Sequence, residues 1–129
     1  MGRLGRFAAR QGDLESGRIL LGAGASANDL AANGASALVI AAHSGQSAFA
    51  KLLLEQGADP NAAGAGYSAL HAAVLRGDAD LVKTLLARGA DPNAPIAKGT
   101  PSRYYSKDWA LNVGALGGAT PLWQASRYG

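Results

Sequence analysis

The sequence predicts an all-α fold, an α-solenoid in which helix-turn-helix repeats joined by hairpin loops stack in one direction. The first observation is a repeated phrase: LLLEQGADPN at 52–61 returns as LLARGADPN at 85–93, and a fainter copy, LLGAGASAN, stands at 20–28. The asparagines that close these phrases, Asn28, Asn61 and Asn93, lie 33 and 32 residues apart. A fixed period of this length is typical of stacked repeat units.

Composition is the second observation. The chain has 129 residues, enough for one domain, and 48% of them are hydrophobic, yet Phe and Trp number only two each and alanine makes up much of the share. Small side chains suit thin layers of helices that approach closely, as in a solenoid, better than one wide core.

The first unit, 1–28, is predicted to be partial. Its segments 8–12 and 19–21 align with later units, but residues 1–7 lack the hairpin and the hydroxyl cap seen there. Gly17 and Gly22 fall within or beside its second helix, where each glycine costs about 1 kcal/mol relative to alanine. We therefore expect a weakened helix in this unit.

The second and third units, 29–61 and 62–93, are predicted to be complete. In each, a small-residue helix precedes a glycine break, and a second helix with an apolar stripe ends at Gly57 or Gly89. Asp78 is placed to cap the second helix of the third unit. The predicted stripe residues are Phe49, Leu52 and Leu53 in one unit and Leu81, Val82, Leu85 and Leu86 in the other.

A long loop, 94–117, separates the third unit from a partial fourth unit at 118–129. Loops of this length inside compact arrays are usually functional or disordered. Arginine and aromatic side chains dominate the energetics of many interfaces, so one interpretation is a binding finger. The other is that the aromatic side chains fold the loop down over the edge of the array. The residues concerned are Arg103, Tyr104, Tyr105 and Trp109.

The repeated motifs resemble the ankyrin repeat family. SALHAA at 68–73 is close to the family's Thr-Pro-Leu-His-x-Ala signature, and TPLWQA at 120–125 is a further copy, with Trp123 where the family usually has histidine. Together with the GADPN phrases, the motifs cover about 100 residues in a common register, which makes the resemblance specific. It implies a structural role for His71 and a binding function without catalysis.

By this resemblance, a partner binds in a concave groove lined by the ends of the first helices and the hairpin tips. A groove that is basic on balance complements an acidic or amphipathic protein or peptide. The alternative is that these positions have no role beyond solvent exposure. The groove positions, with the loop residues above, are the predicted partner-binding residues: Arg10, Gln11, Asn33, His43, Ser44, Tyr67, Leu75, Arg76, Arg127 and Tyr128.

Catalysis, metals and cofactors are not expected. The chain has no cysteine and only two histidines, and zinc needs three or four convergent ligands. The glycine-rich stretches near Gly24 and Gly66 lack the Lys-Ser/Thr of a phosphate-binding loop. No apolar segment reaches the length of a membrane span, and no signal peptide is evident, which favours the cytoplasm.

Two alternative functions stay open. One is a structural role, in which the chain is a segment of a larger solenoid or self-associates through its incomplete end units. The other is weak nucleic-acid binding, which a net charge of +3 disfavours. The basic residues that such binding would use are Arg10, Arg76, Arg103, Lys107 and Arg127.

Overall fold

The structure is a computed structural model, and it describes residues 8–9, 11–31, 34–97, 118 and 120–128. Six α-helices lie in this part of the chain, after the helical residues 8, 9 and 11. In chain order they are α1 (Leu14–Gly22), α2 (Ala37–His43), α3 (Ser47–Glu55), α4 (Ala69–Arg76), α5 (Ala79–Ala87) and α6 (Pro121–Tyr128). The predicted all-α solenoid is confirmed.

The helices form two layers. α2, α4 and α6 stack in an inner layer, and α1, α3 and α5 stack in an outer layer. Within a unit the two helices pack against each other as a hairpin, α2 on α3 and α4 on α5. The main helix contacts among the described residues therefore run within a unit and between successive units, which is the arrangement of a repeat solenoid.

Short polar side chains begin four of the helices, because they satisfy backbone N–H groups that have no partner inside the helix. Ser36 Oγ accepts from Val39 N at 3.2 Å at the start of α2, and Asp78 Oδ1 accepts from Leu81 N at 3.1 Å at the start of α5. Asp13 does the same for α1, accepting from Ser16 N at 3.1 Å. The cap that the sequence predicted at Asp78 is present.

The fourth cap combines Ser68 with His71 at the start of α4. Ser68 N donates to His71 Nδ1 at 3.2 Å, and the Ser68 hydroxyl lies 2.9 Å from the same nitrogen. His71 is fully buried. Burial of a polar ring is tolerated when its nitrogens are hydrogen-bonded, and the geometry agrees with the expected structural role of this histidine.

The core runs continuously through the units between the two layers. It is built from alanines, mostly of the inner helices, and from leucines of both layers. Leu38 and Leu70 of the inner helices and Leu81 and Leu85 of an outer helix are at most 2% exposed. The predicted stripe is correct for Phe49, Leu52, Leu53, Leu81 and Leu85, with Val82 partly buried. It is wrong for Leu86, which is 43% exposed, because no outer helix among the described residues follows α5.

Gly17, which the sequence predicts only to weaken α1, also has a packing role. It is the buried residue of α1, and a Cβ added to it would lie 2.7 Å from Cε2 of Phe49. The missing side chain lets α1 pack against α3 of the next unit. Gly22, in the same helix, has nothing within 4 Å of such a Cβ.

The start of the predicted loop, 94–97, is attached to the array at two residues. Ile96 is 2% exposed, and Ala97 N donates to Gly66 O of the preceding hairpin at 2.7 Å. Gly118 N then donates to Ile96 O at 2.8 Å, so the chain returns beside the point where it left. The described start of the predicted loop 94–117 is thus held against unit 3 by the buried Ile96 and the hydrogen bond of Ala97, while 98–117 lie outside the described residues.

Candidate functional site

The candidate site is the strip formed by the C-terminal ends of the inner helices, which stack beside one another. His43 ends α2 and Ser44 caps it, while Leu75 and Arg76 end α4. All four are half-buried. Because α2 contacts α4, the two pairs are neighbours in the array as the repeat register predicted.

Arg76 connects the two pairs. A Cβ built on Gly45 would lie 2.6 Å from Nη2 of Arg76, so the guanidinium lies across the turn that follows Ser44. Gly45 has φ +76°, a conformation that side chains disfavour, and the absence of a side chain there leaves room for the arginine. Arg76 of unit 3 thus reaches across to unit 2.

The charge of Arg76 has no carboxylate partner in the described part of the chain, where Lys51–Asp80 is the ion pair present. Its Nε is buried and has no hydrogen-bond partner among those residues. A basic residue also stands in the last turn of α2, as it does in α4, whereas the last turns of the outer helices α1, α3 and α5 have none. The guanidinium of Arg76 thus stands at the C-terminal end of an inner helix, where a positive charge complements the helix dipole.

The structure describes some of the other predicted partner-binding residues and not the rest. Gln11 is exposed at the end of the first inner helical segment. Tyr67 is half-buried and packs against the hydrophobic core, so only part of its ring is open to a partner. Arg127 and Tyr128 close α6, but their side chains lie outside the described residues, as do Arg10, Asn33, Arg103, Tyr104, Tyr105 and Trp109.

Outside the strip, the asparagines that define the period have a role that the sequence did not reveal. Asn28 Oδ1 accepts from Asp59 N at 2.6 Å and its Nδ2 donates to Gly57 O at 3.3 Å. Asn61 makes the same pair with Asp91 N at 2.7 Å and Gly89 O at 2.9 Å. Each amide ties one unit to the turn of the next, and the recurrence of Asn at one register was the signal.

An ion pair adds a second link between the outer helices. Lys51 Nζ of α3 donates to Asp80 Oδ2 of α5. This hydrogen bond lowers the pKa of Asp80 and raises the pKa of Lys51, because both charged forms are favoured by the contact. At the start of α1, hydrogen bonds from Ser16 lower the pKa of Asp13 in the same way.

Neither a metal-binding group nor a membrane-spanning helix is found among the described residues. There, no three His, Cys, Asp or Glu side chains are grouped to hold a metal ion. None of the helices described is both long and apolar enough to cross a membrane. The strip presents hydrogen-bonding groups, one apolar side chain and a guanidinium that has no carboxylate partner among the described residues.

Two stacked layers of helix hairpins at a period near 33 residues define a helical-repeat protein. A comparison with protein-family models matches residues 6–96 to ankyrin repeats, in three copies. The chain belongs to the ankyrin repeat family. A search of curated proteins found no match. Ankyrin repeats are generally protein–protein interaction modules, and the family is typically non-catalytic.

Proposed function

We propose that the protein binds a protein or peptide without catalysis, through the strip on the inner helices together with the 94–117 loop. One observation carries the proposal: Arg76 lies across the turn at Gly45, beside His43 and Ser44, with no carboxylate partner in the described part of the chain. An unneutralised guanidinium on a stacked surface favours a ligand that brings the carboxylate.

The chemistry of the strip favours an acidic or amphipathic segment. Leu75 is half-buried next to Arg76 and offers an apolar contact, and Tyr67 adds part of an aromatic ring. A carboxylate and a neighbouring apolar residue on one side of the ligand would match this pair. The loop residues Arg103 and Trp109 are included on the basis of the sequence alone.

The experiment is a selection of binding peptides from a random library against the folded chain, followed by affinity measurements on variants. Arg76→Glu should weaken the selected acidic peptides by about tenfold, because it replaces an attraction by a repulsion. Arg88→Glu is the matched control: it makes the same change of charge at an exposed position that caps α5 in the outer layer. It should leave the affinity within about twofold, since exposed charges are weakly coupled.

Equal losses in the two variants would show that net charge, not the strip, drives binding, and the proposal would fail. Circular dichroism of both variants checks that the helices remain. Nucleic-acid binding is tested with a labelled single-stranded oligonucleotide over a salt series. If the logarithm of the affinity falls steeply with the logarithm of the salt concentration, and this slope decreases by roughly one for each arginine removed, nucleic-acid binding would replace the proposed function.

A further inference from the structure

Leu30 is a large apolar side chain that lies open on the hairpin of unit 2. It is 57% exposed, and its backbone forms an antiparallel bridge with Ser36. Residues that face each other in such a bridge carry their side chains on the same face. Because the Ser36 side chain caps α2, Leu30 lies on the side of the hairpin from which α2 begins. Leu30 was not among the residues predicted to bind a partner.

The exposure of Leu30 follows from its place in the repeat. It stands two residues after the asparagine that closes unit 1, and Ala63 holds the equivalent place in unit 3. Ala63 is exposed as well, although the preceding hairpin packs closely beside it, where a Cβ built on Gly64 would lie 2.5 Å from Gly34 O. The position is therefore open within the array, and in unit 2 a leucine occupies it.

The accessible side of α2 continues from Leu30 towards Arg76. The other residues of α2 are buried, but Ile40 and His43 are half-buried. They lie three positions apart and therefore on one face of the helix. Ile40 packs against the core with part of its side chain and leaves the rest within reach of a ligand. We name Leu30, Ile40 and Arg76 the α2 track.

Arg76 places a charge at a defined point at the far end of the α2 track. A Cβ built on Gly45 would lie 2.6 Å from Nη2, 3.0 Å from Cζ and 3.2 Å from Nε of Arg76. Because these three atoms are at similar distances, the plane of the guanidinium lies over the turn. Its Nε is buried without a hydrogen-bond partner among the described residues, which also supply no carboxylate. A cation held in place without a counter-charge favours an anionic group of a ligand at this point.

The two ends of the α2 track lie about 13 Å apart along the helix. From Ser36, opposite Leu30, to Gly45, beneath Arg76, the chain advances nine residues at about 1.5 Å each. An extended peptide advances about 3.3 Å per residue and returns to the same side at every second residue. Its residues i and i+4 are therefore about 13 Å apart on one side. A straight α-helix has no residue at this distance on the face of residue i, because i+7 lies at about 10 Å and i+11 at about 16 Å.

We propose that the α2 track binds an extended acidic peptide segment in which an apolar residue and a carboxylate are four positions apart. The apolar residue contacts Leu30, the carboxylate pairs with Arg76, and the residue midway between them, small or apolar, faces Ile40. This assignment rests on the function proposed above and specifies the ligand of the same surface. The spacing is the same for either direction of the peptide chain, since both directions can place these side chains over the track.

The probes are synthetic peptides of one composition, with a leucine and a glutamate two, four, six or seven positions apart and valine, serine and glycine elsewhere. Titration into the isotope-labelled full chain, followed by nuclear magnetic resonance, measures each affinity. The spacing of four should bind at least about fivefold more tightly, since any other spacing loses the contact with Leu30 or with Arg76. Leu30→Ser should weaken this peptide about three- to tenfold, because just over half of the leucine surface is open to be covered. A peptide with serine in place of leucine should not respond to Leu30→Ser. Ile19→Ser, at a residue 64% exposed on α1, is the matched control and should change no affinity.

The outcomes distinguish the α2 track from the wider function proposed above. If Arg76→Glu weakens binding but all spacings bind equally, or Leu30→Ser has no effect, the α2 track is overturned and binding at the strip stands. Tightest binding at a spacing of seven would show a helical ligand and overturn the extended one. Absence of binding by the spacing of four at millimolar peptide also overturns the α2 track, while the library selection still decides the proposed function. A maximum at four that Leu30→Ser removes, with the helical circular dichroism of the variant unchanged, is the supporting result.

Discussion

Replacing Gly17 by alanine tests whether contacts between units outweigh local helix preference. In an exposed helix interior the change stabilises by about 1 kcal/mol, because alanine loses less backbone entropy. In α1 the added Cβ would lie 2.7 Å from Cε2 and 2.9 Å from Cζ of Phe49, which is 3% exposed. Overpacking of this kind costs about 1–3 kcal/mol, so we expect a net destabilisation of up to about 2 kcal/mol.

The matched control is Gly22→Ala in the same helix. Nothing lies within 4 Å of its added Cβ, so the local gain of up to about 1 kcal/mol should appear undiminished. Urea melts monitored by circular dichroism give both midpoints. The slopes should stay equal, so that the midpoints report stability. Phe49→Leu in the background of Gly17→Ala should recover part of the loss by making room.

The reasoning is refuted if Gly17→Ala raises the midpoint as much as Gly22→Ala does. That result would mean that the Phe49 ring moves at little cost and that α1 and α3 are packed loosely. It would also return Gly17 to the status of a locally unfavourable residue.

Three further predictions concern the links between units. Asn61→Ala should lower the free energy of unfolding by about 1–3 kcal/mol, because it removes two hydrogen bonds to the next turn. Asn93→Ala, the control, should change the free energy of unfolding by no more than about 0.5 kcal/mol. Chemical denaturation of both variants measures the two values. The hydrogen bond from Lys51 lowers the pKa of Asp80. The pair therefore stabilises the folded state at pH values above the ordinary carboxyl pKa of about 3.9, and this contribution is lost as the pH falls through the lower pKa of the folded state. Carboxyl-carbon titration should show the pKa of Asp80 rising in Lys51→Met, and an unchanged value would contradict the ion pair. Deleting 98–117 should leave the helical circular dichroism intact, because Gly118 already bonds to Ile96, and loss of helix would show that the segment supports the fold.

The fold was predictable where its signals are local. Asp78 caps α5 as predicted, and Gly57, where the second helix of unit 2 was predicted to end, adopts a left-handed φ of +89° after α3. Such caps depend on a few neighbouring residues, so the sequence carries them directly. The repeat period then placed the units relative to one another.

The incorrect predictions of burial and packing concern residues whose surroundings depend on the neighbouring unit. Leu54 and Leu86 have the same place in the repeat, yet one is 3% exposed and the other 43%. The local sequence cannot distinguish them, because burial is decided by whether another outer helix follows. Gly17 was misjudged for the same reason, since its partner Phe49 lies in the next unit. The sequence also did not show that Ile96, within the predicted loop, is buried.

The candidate strip was predictable in position only. Repeat register correctly placed His43, Ser44, Leu75 and Arg76 at the ends of neighbouring inner helices. It could not show that Arg76 crosses the turn at Gly45, since that requires the conformation of a long side chain. Which of these residues a partner contacts stays a prediction.

Because of the asparagine hydrogen bonds, hydrogen exchange at single backbone amides reports whether neighbouring units are in contact. The amide protons of Asp59 and Asp91 lie in exposed turns, but each is bonded to a side chain of the preceding unit, Asn28 or Asn61. Neither proton can exchange with solvent until that bond opens. Deuterium uptake at Asp59 and at Asp91 therefore times the separation of unit 1 from unit 2 and of unit 2 from unit 3 individually. A difference between the two rates would show from which end the array comes apart.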